Sequence, residues 1–316
     1  MMSLSRRELM AGLAGAAAAT LKAETKPDAH YAICAYSKHW QWTDVKETAE
    51  IAARMGYDGI DLTVRKGGHV LPERVADDLP KAEETIRKAG MKLTMITGDI
   101  EDTQSPYCEN VLKTLAKLGV RWYRWGNLRY DLTKSIAPQL AGFQARAKDL
   151  AAMNKEYGVC AIYHTHSGVG WVGASIWDLY LILKDLDPNA VAVNYDVGHA
   201  TVEGGLGGWI HSANLTMPMM KGVAVKDFNS WARNAKGVWM PGWCELGQGQ
   251  VNFKQFFPML KAARFTGPLQ LHMEYPDLGG ADTGKTKLTI PKEQLLAIMQ
   301  RNLDTLKRLL READFA

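Results

Sequence analysis

No Cys-x-x-Cys pair occurs in this chain of 316 residues, and its four cysteines (Cys34, Cys108, Cys160, Cys244) lie far apart. Nothing in their spacing marks a disulfide framework, although an oxidising compartment would permit a bridge. Cys160 falls inside an apolar strand and reads as a buried thiol. No Pro/Ser-rich linker divides the chain and no sequence repeat is visible, so one domain is expected. The apolar run at 11–19 is too short to span a bilayer. Charge of one sign is also scarce. A leader ending near Ala23 would remove Arg6, Arg7, Lys22 and Glu8, lowering the formal charge from +4 to +2. A near-neutral chain argues against nucleic acid or a membrane surface as partner.

What is present begins at the N-terminus. Ser3-Leu-Ser-Arg-Arg-Glu-Leu-Met10, followed by Ala11-Gly-Leu-Ala-Gly-Ala-Ala-Ala-Ala19, has the form of a twin-arginine export signal, with a small-residue cleavage site at Leu21-Lys-Ala23. The plain alternative is a disordered or amphipathic N-terminus. The signal reading gives a leader over 1–23 and a mature domain over 24–316, periplasmic or otherwise exported by that route. Proteins exported this way are already folded, often with a cofactor or metal in place.

A hydrophobic fraction of 47% supports a substantial core. From residue 31 onward short apolar strands alternate with amphipathic segments. Strands are expected near Tyr31, Gly59, Lys92, Val120, Val159, Ala190, Gly222 and Pro268. Helices are expected over 44–55, 79–89, 110–118, 137–157, 176–186, 209–217, 253–263 and 295–310. The last carries Leu295, Met299, Leu303, Leu306 and Leu310 in steps of four and three, a helical stripe. Gly56, Gly90 and Gly119 stand where helices should end. Eight β-then-α units in series predict a single (β/α)₈ TIM barrel, because parallel strands need crossover helices of one hand. Two connections are long, 229–250 after the seventh strand and 275–291 after the eighth. In a barrel such loops build the active-site face. The Trp-rich 229–250 segment suits stacking on sugar rings or closing a lid, or simply packing on itself.

The stretch Leu269-Gln-Leu-His-Met-Glu274 alternates apolar and polar residues without a break. A strand points successive side chains to opposite faces, so Gln270, His272 and Glu274 share one face. The same parity assigns His164 and His166, Asn194 and Asp196, Ala224 and Lys226, and Asp61, Thr63 and Arg65 to the barrel interior. These polar residues fall at the C-terminal ends of their strands. An inward set of His164, His166, Asp196, His199, Lys226, His272 and Glu274 is too polar to be filler, since unpaired burial of such groups is costly. Imidazoles with carboxylates form an N/O site for a borderline divalent ion such as Mn, Co, Zn or Fe. Any one histidine taken alone is more often a hydrogen-bonded core residue than a ligand.

At this point the chain resembles the xylose-isomerase-like TIM barrels of the sugar phosphate isomerase/epimerase superfamily, which also includes endonuclease IV. The resemblance rests on Met55-Gly-Tyr-Asp-Gly-Ile-Asp61, His164-Thr-His-Ser-Gly168, Asp196-Val-Gly-His199, Val225-Lys-Asp227, Leu246-Gly-Gln-Gly-Gln-Val-Asn-Phe253 and Glu274. It implies a divalent metal held by Glu, Asp, His and Glu on strands five to eight. Asp196 and Glu274 match that pattern. His164 stands at the strand-five position and Ala224 at the strand-seven position, so a neighbour such as His166, His199 or His272 completes the shell, or metal binding is weakened or lost.

The resemblance further implies proton abstraction next to a sugar carbonyl. Expected metal ligands are His164, Asp196, Glu274 and His272, around Mn, Co, Zn or Mg. Expected catalytic residues are Glu274, His199 and Lys226. Expected substrate-binding residues are His166, Arg124, Trp243 and His69, the last on a loop where it could also be plain surface. The partner is a small sugar or glycoside, with no nucleic acid and no membrane in the mature form; a homo-oligomer is compatible. Export favours a free sugar, glycoside or keto sugar over a phosphorylated one. The leading expectation is an exported isomerase or epimerase. A lyase eliminating the aglycone of a keto-glycoside is the nearest alternative, followed by a metal-dependent hydrolase and a non-catalytic sugar-binding barrel.

Overall fold

Alternation of β-branched and small residues with polar ones forms the strands, and their crossover helices force them parallel. The computed structural model describes residues 31–315. The leader expected over 1–23 lies outside the described residues. The strands are β1 (Ala32–Tyr36), β2 (Gly59–Val64), β3 (Lys92–Gly98), β4 (Trp122–Trp125), β5 (Cys160–His164), β6 (Val191–Asp196), β7 (Met220–Val225), β8 (Asp227–Arg233), β9 (Trp239–Cys244) and β10 (Pro268–Leu271). Eight of them close a parallel barrel in the order β1-β10-β7-β6-β5-β4-β3-β2. The seam joins the first strand to the last, with Ala32 opposite Pro268 and Ala35 opposite Leu271.

The helices are α1 (Val45–Met55), α2 (Val75–Lys88), α3 (Cys108–Leu118), α4 (Ile136–Tyr157), α5 (Trp177–Leu183), α6 (Val197–Gly204), α7 (Gly208–Thr216), α8 (Phe253–Ala262) and α9 (Lys292–Glu312). Local chemistry sets their ends. Asp44 caps α1 by accepting the Glu47 N–H at 2.8 Å, and Gly56 closes it in the left-handed region at φ 87°. The α9 stripe is buried as its spacing requires. No described helix is long and apolar enough to cross a membrane.

The core divides as the strand parity predicts. Outward residues such as Val193, Tyr195, Val223 and Leu271 join the large cluster under the helices. Met95, Cys160, Ile162 and Ala192 form a separate small cluster, the packed floor of the barrel interior. All four cysteines are free.

Three features differ from the sequence expectation. The segment 229–250 is largely an antiparallel hairpin, β8 against β9, with Trp231 opposite Pro241 and Arg233 opposite Trp239. Helix α2 starts four residues before Leu79, so that Pro80 lies inside it; burial of Val75 beside Leu79 extends the apolar face past the proline. Helix α6 was not expected, being eight residues with three glycine or threonine positions and a weak apolar stripe.

Candidate active site

Asp196 ends β6 and caps α6, its Oδ1 accepting the His199 backbone N–H at 2.9 Å. That pairing explains the Asp-x-x-His spacing, because an N-cap side chain bonds the third residue of the helix it starts. The cap uses one carboxylate oxygen and leaves the other to the site. Oδ2 is buried and receives no well-directed hydrogen bond. Around it stand Lys226 Nζ at 3.4 Å, His164 Nε2 at 3.5 Å and His272 Nδ1 at 4.0 Å. Burial pushes the Asp196 carboxyl up to about 6, with Lys226 opposing.

His164, Asp196 and His272 each offer a ligand atom within 4.8 Å of the others, and all three are buried. Both ring nitrogens of His272 lack hydrogen-bond partners. Such orphaned atoms are costly unless something satisfies them. Burial, the largest cause in each case, holds His164, His199 and His272 well below the usual imidazole range. Neutral imidazoles can donate a lone pair, so these donors fit a divalent cation through two His and one carboxylate. Asn194 sets the His164 tautomer: its Nδ2 lies 3.3 Å from His164 Nδ1, and its amide pairs with Gln270. Ligation through His164 Nε2 requires this amide pair to turn over and present oxygen to Nδ1. A second grouping, His164 with His166 and His199, shares the same histidine.

Glu274 does not join the trio. Lys38 Nζ holds its Oε1 at 2.6 Å, and Lys226 Nζ holds its Oε2 at 2.7 Å. Burial alone would raise this carboxyl, but the two ammonium groups overcome it and hold the group well below the usual range. Lys226, only 2% exposed, also reaches His199 Nε2 at 2.7 Å and lies under the Trp243 ring at 4.1 Å. On the other side of the ring, His199 Nδ1 lies 2.7 Å from the Ser167 hydroxyl. With Nδ1–H donated to that hydroxyl oxygen, Nε2 keeps a lone pair that accepts from the Lys226 ammonium. Glu274, Lys226 and His199 thus make a continuous polar chain.

The remaining expected residues fall on either side. Arg124 Nη2 reaches His166 Nε2 at 3.1 Å, and its Nη1 reaches the Tyr36 hydroxyl at 3.3 Å. Trp171 stacks on His166, with ring centroids 4.3 Å apart, and Trp243 meets His199 edge-on at 4.9 Å. Two indoles therefore bracket the cluster. His69 is brought to a different set: its ring contacts Gln41, Thr63 and Thr48 at the β2 side.

Lys38, Tyr36 and His39 were not anticipated. Tyr36 stacks on His272 at 4.4 Å, and His39 accepts the Met273 N–H at 3.0 Å while its Nδ1 faces the Ala281 carbonyl. Parity carried the signal for Tyr36, which shares the inward face of β1 with Cys34, whereas Lys38 and His39 lie on the 3₁₀ turn that follows, where strand alternation does not apply.

Residues 49–309 match the family model described as Xylose isomerase-like TIM barrel. The chain belongs to that family. No curated protein matches it by sequence. Among solved structures it is similar to a D-psicose 3-epimerase of Clostridium cellulolyticum H10 crystallised with D-tagatose, at 15% identity and TM-score 0.63, over 88% of this chain and 99% of that one. A 3-keto-D-glucoside 4-epimerase of E. coli aligns at 12% identity and TM-score 0.62, over 87% of this chain and 99% of the other. A xylose isomerase-like TIM barrel protein of Mycobacterium smegmatis, in complex with magnesium, aligns at 15% identity and TM-score 0.59, over 86% and 98%. At these identities the likeness concerns the fold. It is the fold of sugar epimerases and isomerases.

Proposed function

We propose that this barrel moves a proton at the carbon next to a sugar carbonyl, as an epimerase or isomerase acting on a free sugar or keto-glycoside outside the cytoplasm. The observation that carries the reading is the chain Glu274–Lys226–His199, joined by two contacts of 2.7 Å beneath Trp243. Glu274 is ionised throughout the neutral range and is the acceptor of the carbon-bound proton. Because its neighbours depress its basicity, the substrate carbon must be acidified by positive charge at the adjacent oxygen. Lys226 and Arg124 supply that charge, in a site where little water competes. Lys226 then gives a proton to the unprotonated Nε2 of His199 and takes one from Glu274, so the chain carries the proton away from its acceptor.

A divalent ion held by His164, Asp196 and His272 would add Lewis-acid stabilisation of the same oxygen. The two epimerases of like fold support the substrate class, since each name describes inversion at a carbon beside a carbonyl or one that a keto form creates. The export reading rests on Arg6 and Arg7 before the short apolar run, and detection of the processed chain in the periplasm tests it.

The function is tested by deuterium exchange. Keto sugars and keto-glycosides incubated with the full chain in D2O should gain deuterium at the α-carbon, seen by NMR. Glu274→Gln should slow exchange by about a hundredfold or more while leaving the fold intact. A Glu274→Gln protein as fast as the parent sinks the assignment of the base, and a parent that exchanges no substrate sinks the reaction.

A further inference from the structure

Behind the bracketed cluster, on the side of β5 and β6, a cavity of about 260 Å³ opens between α6–α7 and the segment leading into α5. Its inner wall includes His166 and His199, the two imidazoles that also face the cluster. Its outer wall includes Ser175, Trp177, Glu203 and Gly208. We propose that this cavity is a subsite for a second sugar ring, so that the substrate is a disaccharide-like glycoside whose reacting ring lies against Glu274. The proposal rests on the proton-transfer reading above and names its substrate class.

Four observations carry it. The cavity borders the reactive residues at His199, which reaches Lys226 on one side and lines the cavity on the other. His166 Nδ1 is buried and has no hydrogen-bond partner, whereas its Nε2 is taken by Arg124. The wall is chemically mixed, with a hydroxyl, a carboxylate and imidazoles beside the indole of Trp177, which is 56% exposed at the rim. Hydroxyl groups of a sugar ring satisfy such a wall and its C–H face stacks on an indole, whereas a purely aryl group leaves the polar atoms unmatched. Finally, Ile176 holds φ 61°, ψ −33° at the N-cap of α5. A β-branched residue in that region is strained, and such strain persists where the surroundings over-determine it, commonly at ligand sites.

Gly208 gives a clean probe. A Cβ built there meets no atom within 4 Å, and its φ is not in the left-handed region. Gly208→Leu therefore adds bulk at the cavity wall without a backbone clash. The experiment is calorimetric titration of the full chain with a panel of α- and β-linked disaccharides, their constituent monosaccharides and the matching phenyl glycosides. At least one disaccharide should bind about tenfold tighter than either monosaccharide and than the phenyl glycoside. Gly208→Leu, shown folded by an unchanged melting curve, should erase that advantage with monosaccharide affinity retained. Trp177→Ala should reduce it, as a second variant that leaves the cavity open. The proposal is overturned by equal affinity across the panel, by no binding, by a preference for phenyl glycosides, or by an advantage that survives both variants. Deuterium exchange with monosaccharides reads the underlying reaction independently, so a failed subsite and a failed reaction give different results.

Discussion

Asp61 sits on the inward face of β2, fully buried, with the Thr97 hydroxyl 2.9 Å from both carboxylate oxygens. Burial pushes its carboxyl up to about 7, the Thr97 bond and nearby Arg124 opposing. The folded chain thus keeps a proton that the unfolded chain releases near its ordinary value of 3.8. Stability from this group is complete below that value and is lost as pH rises through 7. Asp61→Asn removes the dependence, so its unfolding free energy should gain on the parent's from pH 4 to 8. The gain should reach on the order of a few kcal/mol; a difference that is flat with pH refutes the argument. At the same scale, His272 has two ring nitrogens and no partner for either. Adding Mn, Co or Zn at about a hundredfold excess over Kd should raise the parent's melting temperature by roughly 4–5 °C. His272→Ala should abolish the rise, and a rise that persists would place the ion elsewhere.

Among the elements, the hairpin β8–β9 and the turn after it show why some structure was not legible in advance. Asp227 accepts four backbone N–H groups, from Phe228, Gly247, Gly249 and Val251. One carboxylate therefore organises the whole Leu-Gly-x-Gly turn, a pairing between residues about twenty apart that no local period announces. A Cβ on Gly249 would stand 2.1 Å from Asp227 Oδ1. Gly249→Ala should cost about 2 kcal/mol or more in urea unfolding, and a neutral result would deny the turn this role. The barrel strands were readable because burial on two faces leaves near-continuous apolar runs with a strict parity. Strand β8 lacks that signature: past Phe228 its residues are exposed, so nothing hydrophobic marks it. Helix α6 escaped notice for a related reason, since it is nucleated by the Asp196 cap rather than by an apolar face.

For the molecule as a whole, parity gathered most of the site in advance: His164, Asp196, Lys226, His272 and Glu274 do converge. What parity does not carry is distance around the barrel. Only closure reveals that Glu274 is claimed by Lys38 and Lys226, or that the carboxylate meets ammonium groups while His272 meets Asp196. The seam has a further consequence, for the order of events during synthesis. Lys38–Glu274 and His39–Met273 join residues 236 and 234 positions apart. Contacts of that separation form late, because loop closure must be met before they contribute. A nascent chain could hold seven strands in register and still have no competent Glu274. The same staple makes the seam a reporter. The Met273 amide should exchange with solvent hydrogen no faster than global unfolding allows, and exchange through an earlier, local opening would deny the seam this role.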